Sequence, residues 1–124
     1  MNYSVKRLPS WGVIFCTLLL SGCVTGPPPT DQMISAKSAV ADAISAGAPE
    51  FAPMEMRRAQ TKLDDASAAM VAKEYVRARR LSEQAEVDAK LASSKARSLK
   101  AQKEVAKLEQ DIRVLQAEIN RSVP

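Results

Sequence analysis

From Met54 to Val123, 70 consecutive residues contain neither glycine nor proline. These two residue types are the main punctuators of turns. An all-β fold needs a turn every few residues, and a doubly wound α/β fold needs one at every strand–helix junction. The run therefore restricts this part of the chain to helix. With 124 residues in all, the expected fold class is all-α. The expected shape is an elongated helical hairpin or three-helix bundle with a long C-terminal coiled-coil-like helix.

The same composition excludes much chemistry. The chain has no His and only two Cys. The commonest general base and metal ligand are absent, and neither a disulfide framework nor a Cys-based zinc site is available. Asp64 and Asp65 are adjacent, so on a helix they point in different directions. Glu86 and Lys90 have the spacing of a favourable surface ion pair. No phosphate-binding glycine loop or metal-ligand spacing occurs. No catalytic residue, metal site or cofactor is expected, and the chain is read as non-enzymatic.

Residues 1–22 form an address segment. Lys6 and Arg7 make a basic start, and Trp11 to Leu20 is an apolar stretch ending in Leu20-Ser21-Gly22-Cys23. Trp11 to Thr25 is too short for a membrane span, which needs about 20 apolar residues. The four residues Leu20, Ser21, Gly22 and Cys23 resemble the bacterial lipobox. That resemblance implies cleavage before Cys23, a covalent acyl lipid on its thiol and attachment to a membrane. Several acyl chains make such anchoring stable. Val24 stands where an Asp would imply inner-membrane retention, so the implied location is the bacterial outer membrane, facing the periplasm. Residues 23–30, with Pro27, Pro28 and Pro29, are expected to be a lipidated Cys and an extended tether.

The helical domain is expected over residues 31–122, with helices at about 31–46, 53–72 and 74–120. Thr30 is the expected N-cap of the first, Met33, Ala36, Val40, Ala43 and Ile44 its apolar stripe, and Gly47 its C-terminal cap. Pro53 suits the first position of the second helix, with Glu55 near its positive end and Phe51 positioned to staple onto Met56. Met56, Ala59, Leu63, Ala66 and Met70 form a seam. No glycine or proline separates the second helix from the third. The residues alone therefore also allow one continuous helix from Pro53, about 100 Å long. A tight turn at Ala72 to Glu74 is preferred because the resemblance described below implies one. In the third helix, Ala85, Ala89, Ala92, Ala96 and Leu99 form a second seam of mostly small residues, which allows close approach of a partner helix.

Beyond it, Val105, Leu108, Ile112, Leu115 and Ile119 hold a heptad repeat, with β-branched residues at a and Leu at d, a pattern that favours two-stranded parallel coiled coils. This is the candidate interaction seam. Two outcomes stand open: packing within the chain's own bundle, or self-association. In a parallel self-pair Glu104 would face Glu109 of the other copy, which is mildly unfavourable.

The formal net charge is +4, but Lys6 and Arg7 belong to the address segment. The remaining basic excess lies in residues 73–100, with eight Lys plus Arg against four Asp plus Glu. Lys73, Arg77 and Arg80 form a candidate basic face for anionic head groups or acidic glycan; a solvated face, partly paired through Arg79 and Glu83, is the plainer alternative. A nucleic-acid partner is not expected, because export contradicts it and no aromatic platform accompanies the charges.

Ala46-Gly47-Ala48-Pro49-Glu50-Phe51-Ala52-Pro53, Met56 to Leu63, Glu74-Tyr75-Val76-Arg77-Ala78-Arg79-Arg80-Leu81 and Gln84 to Ala89 together resemble lipoproteins carrying domain of unknown function 4398. The resemblance spans roughly residues 35 to 119 and implies a helix–turn–helix around Tyr75. Lys73 stands where the family usually has Gly. Some relatives carry a peptidoglycan-binding module, so proximity to peptidoglycan is an implied context. The expected function is an outer-membrane-anchored periplasmic lipoprotein acting as a helical scaffold or interaction module, paired with itself or with an envelope protein. The alternative is a binding or chaperone-like module that holds envelope proteins or peptides.

Overall fold

The computed structural model describes residues 26–122. The address segment 1–22, the lipobox and Cys23 lie outside the described residues. Four helices follow in order: α1 (Thr30–Ser45), α2 (Ala48–Phe51), α3 (Pro53–Val71) and α4 (Tyr75–Ser122), with no strand among the described residues. The fold is all-α, as the uninterrupted run requires, and forms a three-helix bundle with a long C-terminal helix. The additional element is α2, a single turn between the first two expected helices.

α4 is the spine. At its start, Ser82 Oγ lies 2.9 Å from Met33 Sδ near the start of α1, so α1 runs parallel to α4. Lys62 pairs with Asp88 at 2.7 Å and Glu55 with Lys95 at 2.6 Å, so α3 runs antiparallel to it. At 1.5 Å per residue, the 48 residues of α4 extend about 72 Å. α3 has 19 residues and α1 has 16, so α4 outruns both.

Each chain reversal has a local cause. Gly47 has φ 85° and follows the end of α1, with its N–H bonded to the Ile44 carbonyl at 3.0 Å. A left-handed residue is what a helix C-terminus requires. The turn at 72–74 uses the same device without glycine: Lys73 has φ 58°. Its N–H bonds the Met70 carbonyl at 3.1 Å and the Glu74 N–H bonds the Ala69 carbonyl at 2.9 Å, the paired bonds of a Schellman cap. Lys73 thus supplies the conformation that glycine would adopt more cheaply.

Four local expectations change. Pro29, not Thr30, caps α1; Thr30 is already helical and makes no side-chain cap bond. Pro29 is also buried, so the end of the proposed tether belongs to the bundle. Ile44 is exposed because it lies at the margin of a stripe centred on Ala36, Ala39 and Ala43. Leu99 is exposed too, where α4 begins to leave the other helices behind.

The core is built mainly from alanine. Ala36, Ala43, Ala59, Ala66, Ala78, Ala85, Ala89, Ala92 and Ala96 are fully buried, with Met33, Val40 and Met56 as the larger members. Small side chains bring helix axes toward the short end of the usual 8–10 Å. Phe51 and Leu63 pack against this core from its edge.

Candidate functional site

The corner where α2 meets α3 is held by charge. Glu55 occupies the third position of α3 and accepts a 2.6 Å hydrogen bond from Lys95 Nζ on α4. That bond is the main reason its carboxyl lies below the ordinary value of 4.5. Its other oxygen, Oε2, is buried without a hydrogen-bond partner. Nearby, Lys103 Nζ sits 5.4 Å from the centre of the Phe51 ring and 3.6 Å from Glu50. These contacts mark the last point at which α4 touches the rest of the bundle through a described ion pair to another helix.

From Glu104 to Ser122, α4 projects beyond that point for about 28 Å, and every residue from 101 to 122 is exposed. Val105, Leu108, Ile112, Leu115 and Ile119 are all 53–62% exposed. The packing of this segment into its own bundle is thereby excluded. The reason is geometric. At about 100° per residue, this stripe is rotated roughly 140° from the buried stripe Ala78–Ser82–Ala85–Ala89–Ala92–Ala96. It therefore does not extend the surface that α1 and α3 cover.

The candidate basic residues do not form one helix face. Lys73 sits in the turn rather than on α4, and Arg77 is paired with Glu74 at 2.9 Å. Arg80 is exposed beside Val87 at a shallow hollow that also contains Lys62 and Asp88. The expected Arg79–Glu83 pair is not among the described ion pairs, whereas Glu86–Lys90 is present at 2.6 Å.

Residue periodicity did not reveal an open groove between α1 and α4. It measures about 650 Å³ and is lined by Ile34, Ser38 and Asp42 from α1 and by Lys90, Ser94 and Arg97 from α4. Its walls come from residues some 50 positions apart, and only the parallel docking of α1 brings them together. No helix among the described residues is long and apolar enough to cross a membrane. The described residues also contain no group of three metal-binding side chains.

The comparisons with known proteins agree with this architecture. The sequence profile of the family Domain of unknown function (DUF4398) matches residues 31–108. The chain belongs to that family. A crystal structure of a DUF4398 family protein from Pseudomonas aeruginosa PAO1 is similar to it, with 35% sequence identity and a TM-score of 0.70, covering 77% of this chain and 99% of that one. No curated protein matches.

Proposed function

We propose that the protein is a lipid-anchored, non-enzymatic scaffold of the bacterial envelope, held to the outer membrane through Cys23 and facing the periplasm. The bundle serves as the base, and the free end of α4 serves as the element that engages a partner. The single observation that carries this reading is the exposed heptad stripe from Val105 to Ile119. Large aliphatic side chains at heptad spacing on a projecting helix are costly to leave in water and suited to a second helix. The lipobox residues Leu20 to Cys23 support the anchor. Head groups near the anchor are a natural neighbour for Arg80 and the other exposed cations of 73–100.

Two measurements test this. In membrane fractionation, the parent chain is expected with membranes and Cys23→Ala in the soluble fraction; identical distributions overturn the anchor. In whole cells, a photo-activated cross-linker placed at Ile112 is expected to give adducts, whereas one at Gln110, on the other side of the helix, is not. Equal labelling from both positions overturns the role of the stripe.

A further inference from the structure

The exposed stripe does not begin at Val105. Traced backwards in the same heptad register, it continues along the outer face of α4 through Ala101, Ser98, Ser94, Leu91 and Val87. All five are exposed, Val87 at 65% and Leu91 at 49%. The outer face therefore has two halves. The distal half carries large residues, Val105 to Ile119. The proximal half carries small ones at its centre, Ser94, Ser98 and Ala101. The flanking positions differ too. Lys90, Arg97 and Lys95 flank the proximal half, with Glu83 and Asp88 at its outer end, while Glu104, Asp111, Glu118 and Glu109 flank the distal half; in the register below Asp88 faces the neutral Gln116.

We propose that two copies of the chain pair antiparallel along this face, the distal half of each lying on the proximal half of the other. This rests on the reading of the distal stripe as the interacting element and names its occupant. One register satisfies both size and charge. It is centred at residue 103 and sets Val105 against Ala101, Leu108 against Ser98, Ile112 against Ser94, Leu115 against Leu91, and Ile119 against Val87 of the second copy. Large meets small at the three inner layers, so the helices can approach closely. In the same register Lys90 faces Glu118, Arg97 faces Asp111 and Lys95 faces Glu109, each pair occurring twice.

Within the chain, Lys95 is shared with Glu55, Lys90 with Glu86 and Glu118 with Arg121. Arg97 and Asp111 have no ion pair among the described residues, which makes their cross-pair the cleanest. The opposing charges are Glu104 against its own copy at the axis, and Asp42 on the α1 wall of the groove. A parallel pair is worse: it sets Lys90 against Lys95, Glu104 against Glu109 and Glu83 against Asp88. Moving the antiparallel register by one heptad in one direction places Ile119 against Arg80; in the other it keeps large against small but sets Asp111 against Glu104.

The surface has room for the second helix. The 650 Å³ groove lies along Lys90, Ser94 and Arg97. A second hollow of about 440 Å³ is lined by Ser98, Ala101, Gln102, Val105, Ala106 and Glu109. The second lies on the stripe itself and the first runs beside it, sharing Ser94; Ile34, exposed on the rim of the first, offers further apolar contact.

The test uses the full chain in mild detergent, examined by sedimentation equilibrium over a concentration series. The parent is expected to dimerise. Arg97→Glu or Asp111→Arg alone is expected to weaken the dimer about tenfold or more, since each turns two attractive pairs into repulsive ones. Arg97→Glu with Asp111→Arg in the same chain is expected to restore it to within about threefold. Both residues are exposed, so folding is not at issue, and a general structural effect would not be rescued.

Cross-linking gives the direction. Ser94→Cys with Ile112→Cys is expected to form an oxidised dimer beyond the background of the parent's own cysteines. Ile112→Cys alone, which meets itself only in a parallel pair, is not. A strictly monomeric parent, failure of the charge swap to rescue, or a dimer band from Ile112→Cys alone overturns the proposal. A monomer whose position 112 still cross-links to another envelope protein overturns the self-pairing while leaving the scaffold reading intact.

Discussion

The two halves of α4 invert the usual association of hydrophobicity with burial. Between Ala78 and Ala96 its buried positions are alanine and serine, with no larger apolar residue fully enclosed. Between Val105 and Ile119 its stripe is valine, leucine and isoleucine, and all of it is exposed. The first half has neighbours on both sides and the second has none among the described residues. Burial here is decided by where α1 and α3 end, and side-chain size records how close a neighbour comes. Alanine permits a close neighbour inside the bundle; the large aliphatics have none among the described residues.

The sharpest way to break this contrast is to exchange residue sizes. Ala89→Leu is expected to destabilise the bundle by about 2–3 kcal/mol, because the added atoms meet closely packed helices. Leu108→Ala, at concentrations where chains are separate, is expected to change stability by less than about 0.5 kcal/mol. Urea unfolding followed by circular dichroism measures both. Comparable losses would mean that the halves are not packed as differently as described.

The next effects come from the turns that bring the bundled half into contact with α1 and α3. Gly47→Ala is expected to cost about 1–2 kcal/mol. The backbone there has φ 85°, and a Cβ would sit 3.4 Å from the Phe51 ring. Lys73→Gly is expected to stabilise by about 0.5–1 kcal/mol, since it relieves a left-handed lysine while keeping both cap bonds. Thermal melts of the two variants should move in opposite directions.

The smallest expected effect depends on pH and belongs to the bundled half alone. The Lys95 hydrogen bond lowers the Glu55 carboxyl below 4.5. Its folded value lies under its unfolded one, so its contribution is present above about pH 4.5 and is lost as pH falls through the folded value. Glu55→Gln is therefore expected to be less stable than the parent at neutral pH and to approach it in acid. A pH-independent difference for Glu55→Gln would remove the ion pair from the account.

Much of this was legible in the residues. The helix start at Pro53 and the seam of small residues in α4 follow from spacing and cap chemistry, the turn at 72–74 follows from the family resemblance, and all appear in the fold. The family was legible in the stretch from Ala46 to Ala89. Other features were not. One turn of helix at Ala48–Phe51 is too short to show periodicity. The burial of Pro29 and the exposure of Ile44 depend on which neighbouring helix reaches them. Lys73, Arg77 and Arg80 share one face only if residue 73 is helical, and its left-handed backbone removes it from that face.

The amino-acid order by itself determined helix, because 70 residues without glycine or proline leave the backbone no cheaper arrangement. It also determined the heptad pattern, the glycine cap at Gly47 and the helix start at Pro53, which are local properties of spacing and side-chain chemistry. Only the tertiary structure decided which stripe of α4 is covered. Both stripes have helical spacing, and the larger residues lie on the uncovered one. The lengths of α1 and α3 and their close docking on alanine settle the outcome, leaving the opposite face of α4 and its last 19 residues open to solvent.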